Sequence, residues 1–134
     1  MVMPDTSPKR ILVVDDDPLF IKSLCNILRT DGYQVVASDG GQAGIDAFQS
    51  ALTGGEPFDV VITDLSMRVV DGREVAAAIK SASPSTPVIL MTGWGQSFEQ
   101  PGDAPLTVDY IMDKPPKLRQ LREALARWLK PPNT

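Results

Sequence analysis

The strongest constraint in this chain is a set of short apolar runs, each bounded by turn residues and each leading to a polar group. Val60, Val61 and Ile62 are β-branched, as in a strand buried on both faces of a parallel sheet, and the run leads to Asp64. Ile11 to Val14 leads to Asp15, Asp16 and Asp17, Val88 to Met91 to Thr92, and Val108 to Met112 to Lys114. In open α/β sheets ligands bind beyond the carboxyl ends of the strands. Acids, a hydroxyl and a lysine at such ends point to Mg²⁺-assisted phosphoryl chemistry.

Helical patterning fills the intervals. Asp17-Pro18 reads as an N-cap with proline at the first helical position, followed by Phe20, Ile21, Leu24, Ile27 and Leu28 at helical spacing. Gly32 can close this helix in a left-handed turn. Val35 to Ala37 reads as a second strand, and a helix through Ala43, Ala47 and Phe48 ends before Gly54-Gly55. Asp71-Gly72 opens a third helix carrying Val75, Ala76 and Ile79, broken at Ser83-Pro84. Leu118, Leu121, Leu125, Trp128 and Leu129 define an amphipathic last helix. Between the fourth and fifth strands, Gly93, Gly95, Pro101, Gly102 and Pro105 oppose a full helix, so that helix is expected to be shortened or irregular. Strands alternating with helices predict an α/β parallel sheet with right-handed crossovers. Core packing is expected for every apolar residue named.

The 134 residues suit one domain: a tail over 1–8, a domain over 9–130 and a tail over 131–134. The single Cys25 fits a reducing compartment and a buried structural thiol. No signal peptide is visible, and no apolar run approaches the roughly 20 residues of a membrane span. A cytoplasmic protein is expected. A net charge of −4 argues against direct nucleic-acid binding. Lys117, Arg119, Arg122, Arg127 and Lys130 cluster locally and read as a solvated helix face.

The order of these groups resembles the receiver domain of two-component response regulators. The resemblance is carried by residues 11–18, from Ile11 to Asp15-Asp16-Asp17-Pro18, and by Asp59 to Met67, Asp71-Gly72, Pro87 to Gly93, and Lys114-Pro115. It extends from about Arg10 to Lys130 and implies a flavodoxin-like, doubly wound, five-stranded parallel sheet in the order 2-1-3-4-5.

It also implies roles. Asp64 accepts a phosphoryl group from a phosphohistidine on a sensor histidine kinase or histidine phosphotransfer protein. Asp15, Asp16, Asp64 and the backbone carbonyl of Ser66 hold Mg²⁺. Thr92 and Lys114 contact the phosphoryl group, Gly93 keeps the approach open, and Lys114-Pro115 matches a bond usually cis. Asp17 is a helix cap. Such a protein catalyses only its own phosphorylation and dephosphorylation, as a monomer or weak dimer. The chain has no histidine, so the donor is another molecule.

Three departures stand out. Ile111 occupies the position of the usual aromatic switch that answers Thr92, while Tyr110 should face the other way by strand alternation. The shortened fourth helix alters the usual output face. Arg68 stands where a proline normally follows the methionine. By the same resemblance, Ser66 and Trp94 stand at the positions that flank the approach of the hydrolytic water in receivers, and they are expected to set phosphate lifetime.

Two other functions compete. A receiver-like binding module independent of phosphate would show no Mg²⁺-dependent labelling. A haloacid-dehalogenase-like hydrolase would turn over phosphate esters, but Leu19 departs from that motif and no cap domain fits in the chain.

Overall fold

The computed structural model describes residues 8–93 and 108–129. Strands β1 (Arg10–Val14), β2 (Gln34–Ser38), β3 (Val60–Asp64), β4 (Val88–Thr92) and β5 (Tyr110–Asp113) form one parallel sheet in the order β2-β1-β3-β4-β5. Helices α1 (Pro18–Thr30), α2 (Gly41–Thr53), α3 (Gly72–Ala82) and α4 (Leu118–Trp128) cover it. This is the flavodoxin-like order that the resemblance implies. The expected irregularity after Gly93 falls on residues 94–107, outside the described residues, and Trp94 with it.

Alternation along β1 shows why its run is apolar throughout. Ile11 and Val13 pack with Leu24, Cys25 and Leu28 of α1 and Leu121, Ala124 and Leu125 of α4. Leu12 and Val14 face the other way, onto Phe48 of α2 and Val75, Ala76 and Ile79 of α3. Each strand residue leaves water on one face or the other, a gain of about 1.5–3 kcal/mol for a large aliphatic side chain. Burial raises the Cys25 thiol above its ordinary value, as for an inert packing thiol.

The helix ends follow local chemistry. Asp17 accepts the Leu19 and Phe20 N–H groups at 3.1 and 3.3 Å, and Asp71 accepts those of Arg73 and Glu74 at 3.0 and 3.1 Å. After α1, Gly32 takes φ +99, its N–H reaches the Arg29 carbonyl, and the Tyr33 N–H reaches that of Leu28. Gly55, at φ +81, closes α2 in the same way.

Two expectations change. The fifth strand begins at Tyr110 instead of Val108: the Asp109 side chain accepts the Val88 N–H at 2.8 Å, and Val108 packs on the α2–α3 core. Nor are all the patterned apolar residues core. Ile27, Val36, Ile111 and Leu118 are 36–41% exposed, because periodicity identifies an apolar face without supplying what covers it.

Candidate functional site

The strand order places the carboxyl ends of β1 and β3 side by side, since the chain leaves β1 for β2 on one side and returns to β3 on the other. Asp15 follows β1, and Asp64 ends β3. Thr92 ends β4 half-buried, and its carbonyl accepts the Lys114 N–H at 3.0 Å, which brings the residue after β5 to the same edge. The Lys114-Pro115 bond is cis.

Asp15 and Asp64 are buried and Asp16 is exposed, and one carboxylate oxygen from each lies within 4.8 Å of the others. Lys114 Nζ sits between two of them, 2.8 Å from Asp15 Oδ2 and 3.4 Å from Asp64 Oδ2. Asp15 Oδ1 accepts the Asp17 N–H at 2.9 Å, whereas Oδ2 is buried with no aligned hydrogen-bond donor, only the ion contact.

Electrostatics follow from this crowding. Burial raises the Asp64 carboxyl above its ordinary value, Asp15 adds to the rise, Lys114 opposes it, and Asp16 adds again. For Lys114 burial works downward, but its contacts with Asp15 and Asp64 outweigh it and hold the ammonium above its usual value.

The donor set fits a hard divalent cation. It offers carboxylate oxygens, one of them buried and short of a donor, and an exposed acid open to solvent.

The strand-end residues predicted from sequence, Asp15, Asp16, Asp64, Thr92 and Lys114, thus converge. Ser66 follows two residues after Asp64 and is exposed. Tyr110 packs on the α1–α4 core, edge-on to Trp128 at 6.2 Å, and its hydroxyl accepts from Gln120 at 3.3 Å. Ile111, between Tyr110 and the buried Met112, points to the opposite face and is 40% exposed. Asp17 caps α1, as expected.

Two contributors were not foreseen. The Phe20 ring lies 4.7 Å below Lys114 Nζ and gives the ammonium a third neighbour. Gly72 donates its N–H to the Leu65 carbonyl at 2.8 Å, and a methyl group there would strike the Asp64 carbonyl oxygen. Helical periodicity reads Phe20 as core; for Gly72 the signal was the glycine after the Asp71 cap.

Comparison with known proteins gives a consistent picture. Residues 11–126 match the response regulator receiver domain. The receiver protein CpdR of Brucella abortus is 30% identical over 122 residues, covering 90% of this chain and 97% of its own. The sensor protein GacS of Pseudomonas syringae is 31% identical over 124 residues, but that match spans only 13% of its length. TrrA of Thermotoga maritima, solved with Mg²⁺-BeF, superposes with a TM-score of 0.78 at 29% identity, covering 90% of this chain and 99% of that one. The chemotaxis protein CheY4 of Vibrio cholerae gives 0.79 at 25% identity, covering 92% and 100%.

Proposed function

The chain belongs to the response regulator receiver domain family, and on that premise we propose that Asp64 takes a phosphoryl group from a partner phosphohistidine. The observation that carries the proposal is Asp64 itself: buried at the end of a central strand, raised in pKa, facing Lys114 and two other acids.

In this reading an Asp64 oxygen attacks phosphorus, the P–O bond forms as the donor's P–N bond breaks, and the imidazole leaves with a proton from solvent. Asp15, Asp16, Asp64 and the Ser66 carbonyl would hold Mg²⁺, which supplies charge neutralisation at the phosphoryl oxygens. Lys114 needs little movement to pass from Asp64 Oδ2 to a phosphoryl oxygen on it. Thr92 donates a hydroxyl. Ser66 and Trp94 govern the water that later cleaves the aspartyl phosphate.

Relatives that include sensor kinases and response regulators support a histidine kinase or phosphotransfer protein as donor. The apolar cleft beside the site, lined by Leu19, Phe20, Leu24, Ile27, Pro115 and Leu118, offers that donor a contact surface. Among the described residues no helix is long and apolar enough to cross a membrane, and a cytoplasmic receiver unit over 9–130 is part of the reading. The output is a change in protein contacts. With Ile111 in place of an aromatic and Tyr110 held by Trp128, it proceeds without a rotating ring on β5.

The test is phosphate incorporation from a small phosphodonor with Mg²⁺. Wild type should acquire acid-stable, base-labile phosphate and Asp64→Asn none. Equal labelling of the two would overturn the assignment.

A further inference from the structure

Beside the acidic triad lies a cleft of about 440 Å³ lined by Asp16, Asp39, Gly40 and Arg68. Asp16 belongs to both places: it is the exposed member of the triad and a wall of the cleft. Among the described residues neither Asp16, Asp39 nor Arg68 makes an ion pair within 4.0 Å, while every other acid of the triad contacts Lys114. Lys114 is therefore committed to Asp15 and Asp64, and Asp16 is left without a fixed counter-ion. Arg68, which lines the same cleft, brings a cationic side chain to it.

The backbone that carries it is tightly turned. The Val70 N–H donates to the Arg68 carbonyl at 2.7 Å across Val69, whose φ is +68, so Arg68 starts a three-residue turn. A proline at this position would carry no charge to the cleft.

We propose that Arg68 is a tethered competitor of the divalent cation. In the metal-free protein it neutralises Asp16 and Asp39 through the cleft without a fixed ion pair, and Mg²⁺ arriving at Asp16 displaces it. Arg68 thereby raises the Mg²⁺ concentration at which the site loads. The inference rests on the metal-assisted reading above and adds a regulatory residue to it.

The experiment is calorimetric titration of the metal-free chain with MgCl₂ at low ionic strength. Arg68→Met keeps much of the length and removes the charge. It should tighten Mg²⁺ binding by about three- to tenfold, the range expected for one charge acting through solvent at close quarters. Arg68→Lys should stay within about twofold of wild type. In an Asp16→Asn background the gain from Arg68→Met should fall below about twofold, because the two side chains share the effect. An unchanged Mg²⁺ affinity in Arg68→Met overturns the inference, as does an equal gain with and without Asp16. If neither wild type nor Arg68→Met binds Mg²⁺, the inference falls as well. Asp64 labelling, measured separately, then tells whether the phosphoacceptor reading falls with it.

Discussion

Asp59 precedes β3 and Asp64 ends it, five residues apart in number and opposite in circumstance. At the entry of β3, Asp59 Oδ2 accepts the Arg10 N–H at 2.7 Å, and its own N–H donates to the Arg10 carbonyl at 2.8 Å. Asp109 repeats the pattern before β5, accepting the Val88 N–H at 2.8 Å and the Lys80 ammonium at 2.7 Å. At the exit, Asp64 receives no backbone N–H among the described residues, only Lys114 at 3.4 Å, and it faces Asp15. One edge of the sheet uses carboxylates to finish a hydrogen-bond ladder. The other leaves Asp64 without a backbone donor and Asp15 Oδ2 with only an ion contact, which costs stability in the free protein. The loops differ likewise. The approach to β3 places glycine, Gly55, at positive φ, whereas the loop after it places Val69 there, 97% exposed.

The largest expected effect falls at the exit edge. Lys114→Ala should slow phosphoryl uptake by about a hundredfold, about 2.7 kcal/mol of barrier, in single-turnover labelling. Uptake at the wild-type rate would remove Lys114 from the chemistry. The entry edge should respond in the opposite sense. Asp59→Ala should lower unfolding free energy by about 2 kcal/mol, the scale of a charged hydrogen bond to backbone, with labelling intact at temperatures where the variant is folded. A variant of wild-type stability that failed to label would reverse the roles given to the two edges.

Asp64→Asn should stabilise the metal-free protein, by about 1 kcal/mol at neutral pH, by removing a buried like charge. The sign follows from the raised carboxyl. Between the ordinary carboxylate pKa and the raised one the folded state binds more protons, so wild-type stability falls as pH rises through that window. The asparagine variant should lose that slope, and denaturant melts at several pH values in EDTA would show it. A destabilised variant would mean that Lys114 needs Asp64 more than Asp15 resents it. Smallest is Val69→Gly, expected to gain about 0.5 kcal/mol as relief of positive-φ strain outweighs glycine's entropy. A loss on the same melts would place the cost of that loop elsewhere.

Much of the fold around this contrast was legible in residue order, though the roles of Asp59 and Asp109 were not. Continuous β-branched runs announce strands covered on both faces, and Asp17-Pro18 and Asp71-Gly72 announce helix starts, because each is a local steric or hydrogen-bonding requirement. The convergence of the strand-end residues at one edge was legible for the same reason, since a strand's end fixes the edge its next residue reaches. What escaped depends on elements distant in sequence. Phe20 under Lys114 needs α1 and the β5–α4 loop to meet. The exposure of Ile27 and Leu118 depends on what stands over a helix face, and the late start of β5 on Asp109 finding the Val88 N–H.

The register of the sheet also bears on when the candidate site is complete. Asp15, Asp64 and Lys114 stand about fifty residues apart in turn; the first junction closes when β1 pairs with β3 across the intervening β2, and the second when β3, β4 and β5 have paired, contacts of long sequence separation that form slowly in a folding chain. A chain with only β1 and β2 joined has two of the three acids and no lysine. On the proposed function, phosphoryl uptake would report completed folding: during refolding, the ability to be labelled should emerge with the last phase of sheet assembly and never before it.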